Sequence, residues 1–144
     1  RGCLCVTPGA TLRKPQEGLR LRIFKNKAFS KWATREGLKD KVLQAAVAEI
    51  ERGLFDADLG GHVMKKRVAV GGRGKSGGVR TLLVYQFGHK AFFVYGFAKS
   101  ARANISADEL RALKHLAKEL LGYSDKVLKQ AIEYGELIEV ESDG

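Results

Sequence analysis

The chain has 144 residues, of which 44% are hydrophobic, and this length and composition suit one globular domain with a single core. Its longest apolar runs, 81–87 and 91–97, are much shorter than the roughly 20 residues of a membrane-spanning helix. The net charge of +10 favours a polyanionic partner, nucleic acid first, although a basic stretch can also be an ordinary solvated surface.

The first 18 residues contain both prolines and both cysteines of the chain and show no apolar period. We therefore expect residues 1–18 to be a disordered or vector-derived extension, followed by a single domain over 19–144. Cys3 and Cys5 have no second cysteine pair with which to build a zinc site or a disulfide framework. This cysteine usage favours a reducing, cytoplasmic setting.

From Leu19 the apolar residues alternate with arginines, which predicts a half-buried strand over 19–24. Asn26 is a helix-capping residue, and the apolar positions that follow recur at helical spacing until Gly37. A second helix is predicted over 39–52, so that the two helices form a hairpin. The segment 63–70 then predicts a strand with a basic exposed face, formed by Lys65, Lys66 and Arg67.

Two apolar segments, 79–87 and 90–97, are separated by Gly88 and His89 and predict an antiparallel hairpin. Ser106 and Glu109 have the spacing of a capping box and open a helix that runs to Gly122. A further helix is predicted over 124–134 and a short edge strand over 137–140. Together these elements predict an α+β fold, in which helices surround an antiparallel sheet built mainly from 63–97.

The glycine-rich loop at 70–78 resembles two nucleotide-binding motifs in its glycine pattern but lacks the structural context that both require. A P-loop requires glycine where Ala69 stands, and both motifs require a helix after the loop, whereas a strand is predicted here. We interpret the loop as a mobile cationic hairpin tip, in which Arg73 and Lys75 contact phosphate. A plain linker between two strands is the alternative.

The middle of the chain is strongly basic. No Asp or Glu occurs between Leu59 and Ala107, but nine cations do: Lys65, Lys66, Arg67, Arg73, Lys75, Arg80, Lys90, Lys99 and Arg102. Without carboxylates, any proton-transfer chemistry in this region would depend on these cations. Neighbouring positive charges lower the pKa of a lysine towards a value useful for proton transfer, and arginine binds phosphate through two parallel hydrogen bonds.

Three segments of the chain resemble the RelE/HigB family of toxins from bacterial toxin–antitoxin modules: MKKR at 64–67, GRGKSGGVR at 72–80 and FFVYGFAKS at 92–100. The order of the predicted elements extends the resemblance over about 19–140. It implies a compact ribonuclease-like α+β domain that cleaves messenger RNA, typically in the ribosomal A site. It also implies a co-expressed antitoxin, which we expect to lay an acidic segment over the basic surface.

The resemblance also implies roles for individual residues. Arg80 matches the arginine that binds the scissile phosphate. The other residues expected in catalysis are Lys65, Lys66 and Lys99, and those expected to contact RNA phosphates are Arg67, Arg73, Lys75 and Arg102. Neither a metal ion nor another cofactor is implied, because attack by the RNA 2′-hydroxyl does not require one.

The chain departs from the family pattern in one respect that bears on chemistry. Some relatives use a C-terminal Tyr or His in the active site, whereas no such residue follows Lys99 before the long helix. Tyr95 could replace it, although an aromatic residue in so apolar a run is typically part of the core. Two other functions remain open: a ParE-like toxin that binds DNA gyrase without chemistry, and a plain RNA-binding module, which would show exposed aromatics among its basic residues.

Overall fold

A computed structural model describes residues 21–70 and 78–140, within which six strands form one sheet with helices on both faces. The predictions for residues 1–18 and for the loop tip at 71–77 lie outside the described residues. None of the described helices is long and apolar enough to cross a membrane. The elements are β1 (Arg22–Asn26), α1 (Lys27–Glu36), α2 (Asp40–Glu51), β2 (Ala57–Asp58), β3 (Val63–Val68), β4 (Val79–Gln86), β5 (Lys90–Ala98), α3 (Ala107–Leu121), α4 (Asp125–Glu133) and β6 (Leu137–Val140).

The helix boundaries follow the predicted capping residues. The side chain of Asn26 accepts a hydrogen bond from the Phe29 amide at 2.8 Å, and α1 ends at Gly37, whose φ of +80° suits glycine. Both hydrogen bonds of the predicted capping box form at the start of α3. The first strand was predicted to end at residue 24, whereas its pairing with β5 and β6 runs from Arg22 to Asn26, two residues further.

The sheet has the order β2-β3-β4-β5-β1-β6, which confirms the predicted hairpin of β4 and β5 and the edge position of β6. All neighbours are antiparallel except β1 and β5, which are parallel. The sequence did not indicate this parallel pair, because it joins segments that are far apart along the chain. The observed fold is therefore the predicted α+β arrangement with one parallel pair inside a mostly antiparallel sheet.

Each face of the sheet has its own core. On one face α1 and α2 contribute Phe29 and Leu43, which pack with Phe93 of β5. On the other face α3 and α4 contribute Leu120 and Leu128, which pack in the cluster that contains the opposite side of β5. Because side chains alternate along a strand, β3 sends Val63, Lys65 and Arg67 to the α3 side and Met64, Lys66 and Val68 to the α2 side.

A bulge in β5 changes which residues face α3. The register with β4 shifts between Leu82 and Leu83, so that Val94 is the extra residue in β5. As a result Val94 and Tyr95, although consecutive, both belong to the α3-side core. Gly96 then faces α1, where a Cβ atom would collide with the indole of Trp32. The bulge thus delivers Tyr95 to the face that carries Lys65.

Candidate RNA-binding site

A set of polar and aromatic residues lies on the α3 side of the sheet, where β3 ends and β4 begins. We call this set the basic face: Lys65, Arg67, Arg80, Tyr95, Phe97, Lys99 and Arg102. Two rows run across three strands. Arg67, Arg80 and Phe97 are directly paired neighbours in one row, and Lys65, Leu82 and Tyr95 form the next row. The sheet register therefore brings residues from three separate sequence segments together.

Arg80 lies at the centre of the basic face in an unfavourable electrostatic position. It stands directly opposite Arg67 on β3, and like charges in this cross-strand arrangement destabilise a sheet. Its Nη1 atom is buried and has no hydrogen-bond partner within residues 21–70 and 78–140. A buried donor without an acceptor costs free energy, typically about 1–3 kcal/mol. An anion bound at Arg80 would supply the acceptor and relieve the repulsion.

Arg67 has a carboxylate partner, whereas Arg80 has none among the described residues. Asp56, which precedes β2, accepts hydrogen bonds from the backbone N–H of Arg67 and from its Nε atom, the latter at 3.0 Å. The arginine side chain remains 46% exposed, so its other donors are accessible to solvent. Asp56 therefore holds Arg67 beside Arg80 while offsetting part of its charge.

The Arg102 side chain forms more hydrogen bonds within the protein than the Arg67 side chain does. Its guanidinium donates to both carboxylate oxygens of Glu109, at 2.9 and 2.6 Å, and to the hydroxyl of Tyr95 at 3.1 Å. It also lies over the ring of Phe97, with its Cζ 5.7 Å from the ring centroid. The same Glu109 accepts the Ser106 backbone N–H at 2.7 Å in the capping box. Arg102 thus links the start of α3 to the aromatic side chains of β5.

The network around Arg102 changes the proton affinity of its members. The hydrogen bonds from Arg102, followed by the backbone hydrogen bond from Ser106, lower the pKa of Glu109 to about 2. The hydrogen bond to Glu109 raises the pKa of Arg102 above its ordinary value. Both groups are therefore charged at neutral pH, and Glu109 is a poor proton acceptor.

Lys66 does not lie on the basic face. It points to the α2 side, where its residue is only 5% exposed, and its Nζ donates to the Leu54 carbonyl at 2.8 Å. The same ammonium lies 2.6 Å from a carboxylate oxygen of Glu49. The prediction that Lys65, Lys66 and Arg67 form one exposed face was therefore wrong for Lys66. Side chains alternate along a strand, so three consecutive residues cannot all point to one side.

Of the remaining predicted residues, two are described by the structure and two are not. Lys65 is half-buried in the row next to Arg80 and forms no ion pair in the described part of the chain. Lys99 is exposed and directly follows β5, whose last residue pairs with the residue before Arg80. Arg73 and Lys75, predicted to contact phosphate, lie outside the described residues. The cations of the basic face are thus Lys65, Arg67, Arg80, Lys99 and Arg102, of which Lys99 lies at the edge.

Sequence reasoning missed the carboxylates that partner these cations. Glu49, Asp56 and Glu109 all lie just outside the acid-free segment from Leu59 to Ala107. The fold brings each of these acids to one cation: Glu49 to Lys66, Asp56 to Arg67 and Glu109 to Arg102. The capping-box position of Glu109 was visible in the sequence, but nothing in the spacing indicated that Arg102 would bind it.

Tyr95 also differs from the core position that its apolar surroundings favoured. Its ring packs against the α3-side cluster and lies 6.1 Å from the ring of Phe97, centroid to centroid. Its residue is only half-buried, however, and its hydroxyl accepts the hydrogen bond from Arg102. Tyr95 therefore belongs both to the edge of the core and, through its hydroxyl, to the basic face. In the described parts of the chain no group of three or more His, Cys, Asp or Glu residues could hold a metal ion.

The geometry described above agrees with a family comparison. The profile described as the RelE toxin of the RelE / RelB toxin–antitoxin system matches residues 21–140. The chain belongs to the RelE toxin family. It is therefore the toxin of a toxin–antitoxin module, with the α+β fold that the resemblance implied. A comparison with curated proteins finds no match for this toxin.

The two adjacent lysines of β3 provide a first prediction. We expect Lys66→Met to lower the free energy of unfolding by about 2 kcal/mol, because it removes a buried cation from Glu49 and from the Leu54 carbonyl. Lys65→Met, which makes no such contacts, should change stability by less than about 0.5 kcal/mol. Urea unfolding of both variants measures the difference. Equal losses would show that the two side chains do not point to opposite faces.

The low pKa of Glu109 provides a second prediction. Since folding lowers this pKa from an ordinary 4.5 to about 2, its contribution to stability is present above pH 4.5 and is lost as the pH falls towards 2. We expect the stability advantage of the wild type over Glu109→Gln to shrink across that window. Denaturant unfolding at several pH values measures it, with Glu119→Gln on the exposed side of α3 as the control. An advantage that is independent of pH would contradict the ion pair.

Proposed function

We propose that this toxin is a metal-independent endoribonuclease that cleaves messenger RNA on the ribosome and so inhibits translation. Membership of the RelE family supports this proposal, and so does the charge arrangement of the basic face. The observation that carries it is Arg80: a buried guanidinium nitrogen without an acceptor among the described residues, directly opposite a second arginine. An RNA phosphate is the ligand that this arrangement fits.

Cleavage of RNA by its own 2′-hydroxyl makes three demands on a site. A base must take the hydroxyl proton, a cation must stabilise the charge on the crowded phosphorus, and an acid must protonate the leaving 5′-oxygen. The O2′–P bond forms as the P–O5′ bond breaks, which leaves a cyclic phosphate and a free 5′-hydroxyl. Arg80 can meet the second demand, because its planar guanidinium donates two parallel hydrogen bonds to phosphate.

The proton-transfer groups come from the row next to Arg80. Lys65 and Tyr95 lie in that row on either side of Leu82, and Lys65 has no carboxylate partner in the described residues. We assign proton transfer to Lys65, with the Tyr95 hydroxyl as the second group, and charge stabilisation to Lys99. Lys66 has no part in this proposal, because it lies on the opposite face of the sheet in an ion pair.

The intramolecular carboxylates indicate how an antitoxin would inhibit the site. Asp56 and Glu109 bind Arg67 and Arg102 in the way that RNA phosphates would otherwise bind them. A cognate antitoxin with an acidic segment could complete this pattern by placing a carboxylate on Arg80. Carboxylate and phosphate would then compete for the same donors, and bound antitoxin would exclude RNA.

The test is primer extension on messenger RNA from a translation reaction that contains the toxin, with a ribosome-free control. We expect cuts that depend on ribosomes, and we expect Arg80→Ala to reduce them by about 100-fold or more. The matched control, Arg35→Ala, removes an exposed arginine of α1 on the other side of the sheet and should cut normally. Arg80→Ala should be at least as stable as the wild type, because it removes the repulsion from Arg67.

Intact messenger RNA together with normal translation would refute the proposal. A toxin that instead inhibits DNA gyrase, and does so equally well with Arg80→Ala, would be a ParE-like binding toxin. Loss of cutting accompanied by loss of folding would show that Arg80 has a structural role, contrary to the electrostatics of its position.

A further inference from the structure

A second group of cations lies at the opposite end of β3 from the basic face. It surrounds a cavity of about 460 Å³, which we call the lysine pocket and which is lined by Gly61, His62, Lys114, Lys118, Leu121 and Gly122. The turn before β3 forms one wall and the C-terminal half of α3 forms the other. At about 3.3 Å per residue along the strand, His62 is roughly 16 Å from Arg67, so the two sites are separate.

The lining of the lysine pocket is basic and contains no carboxylate. Lys114 and Lys118 are one helical turn apart on α3, and neither forms an ion pair within the residues that the structure describes. They therefore differ from Arg67 and Arg102 on the basic face, each of which has an acidic partner. Two ammonium groups on one wall of a cavity, neither paired with a described carboxylate, attract an anion.

The glycines of the turn hold Lys114 in place. A Cβ atom on Gly61 would lie 3.0 Å from Cγ of Lys114, and one on Gly60 would lie 3.3 Å from its Nζ. The side chain of Lys114 therefore packs directly against the Cα atoms of Gly60 and Gly61, with its ammonium group beside the turn. The backbone N–H groups of Gly61 and His62, two residues that line the cavity, donate no hydrogen bond in the described part of the chain.

His62 has a strained backbone at the edge of this cavity. Its φ is +69°, in the left-handed region that costs free energy for residues other than glycine. The carbonyl of His62 accepts the Tyr85 amide at 2.8 Å, and its Nδ1 lies 3.2 Å from the Tyr85 carbonyl, to which it can donate. The ring is thus fixed to β4, and Nε2 has no partner among the described residues. Strain of this kind is typical of binding sites, where the surrounding structure enforces it.

We propose that the lysine pocket binds a backbone phosphate of the same RNA whose scissile phosphate lies at Arg80. Two ammonium groups and two free backbone N–H groups suit the several oxygens and the charge of a phosphate. A contact at this distance from the reaction would fix the direction and register of the strand without taking part in bond cleavage. RNA as the source of the phosphate rests on the proposed function, whereas binding of phosphate itself does not.

The test compares two double variants with the same change in charge. Lys114→Gln with Lys118→Gln removes the pocket cations, and Lys126→Gln with Lys129→Gln removes two exposed lysines of α4 outside the pocket. The probes are inorganic phosphate, followed through the ring resonances of His62, and a 2′-O-methyl oligoribonucleotide, which cannot be cleaved because it lacks the attacking hydroxyl. Binding of the oligonucleotide is measured at several salt concentrations.

We expect phosphate to shift the His62 resonances of the wild type and of the α4 variant, but not those of the pocket variant. The pocket variant should bind the oligonucleotide about tenfold more weakly. The slope of log K against log salt concentration should be smaller in magnitude by about 0.7, the value for one phosphate contact on a single strand. The α4 variant should lose no more than about twofold.

Equal losses in the two variants, or His62 resonances that phosphate leaves unchanged, would overturn the proposal. Shifts with phosphate but no loss of oligonucleotide affinity in the pocket variant would reject RNA and leave a site for free phosphate compounds. The proposed function fails in a different way. If the wild-type toxin binds phosphate and the oligonucleotide as expected but cuts no messenger RNA on ribosomes, the phosphate site at the lysine pocket stands and the proposed nuclease activity is refuted.

Discussion

The basic face is organised around one pair of residues, Arg67 and Arg80, which the sheet register places directly opposite each other. A sheet gains nothing from two facing guanidinium groups, and one nitrogen of Arg80 is buried without an acceptor among the described residues. Hydrophobic cores on both faces of the sheet hold the two strands that carry these arginines. We interpret the local cost as preorganisation, because a phosphate that binds here meets donors already in place.

Charge in the central segment is balanced unequally among chemically similar residues. Three cations of the central segment have a carboxylate partner from a flanking segment, namely Lys66, Arg67 and Arg102. Lys65 and Arg80 have none in the described part of the chain. The paired arginines fix the geometry around Arg80 and Tyr95, and the unpaired cations remain for a ligand. Net charge alone would not distinguish these two groups.

Much of the fold could be predicted from local signals. Asn26, Gly37 and the pair Ser106 and Glu109 marked helix ends correctly, because capping depends on nearest neighbours along the chain. The parallel pairing of β1 with β5 and the bulge at Val94 could not be predicted, since both depend on contacts between distant segments. The bulge matters for the proposed function because it places Tyr95 on the side of Lys65. The candidate site was predicted in part: the cations were evident, but alternation along β3 removed Lys66, and the acidic partners were missed.

The most direct test of the central claim is an NMR titration of the arginine side chains in the full chain. The Nε–H resonance of Arg80 is assigned by its absence in Arg80→Lys, and the ligand is a 2′-O-methyl dinucleotide with one phosphodiester. We expect a saturable shift at Arg80 and much smaller shifts of the Nε–H groups of Arg67 and Arg102, because these two groups already donate to Asp56 and to the Asn104 carbonyl. Shifts at Arg67 or Arg102 with an unchanged Arg80 would contradict the central claim.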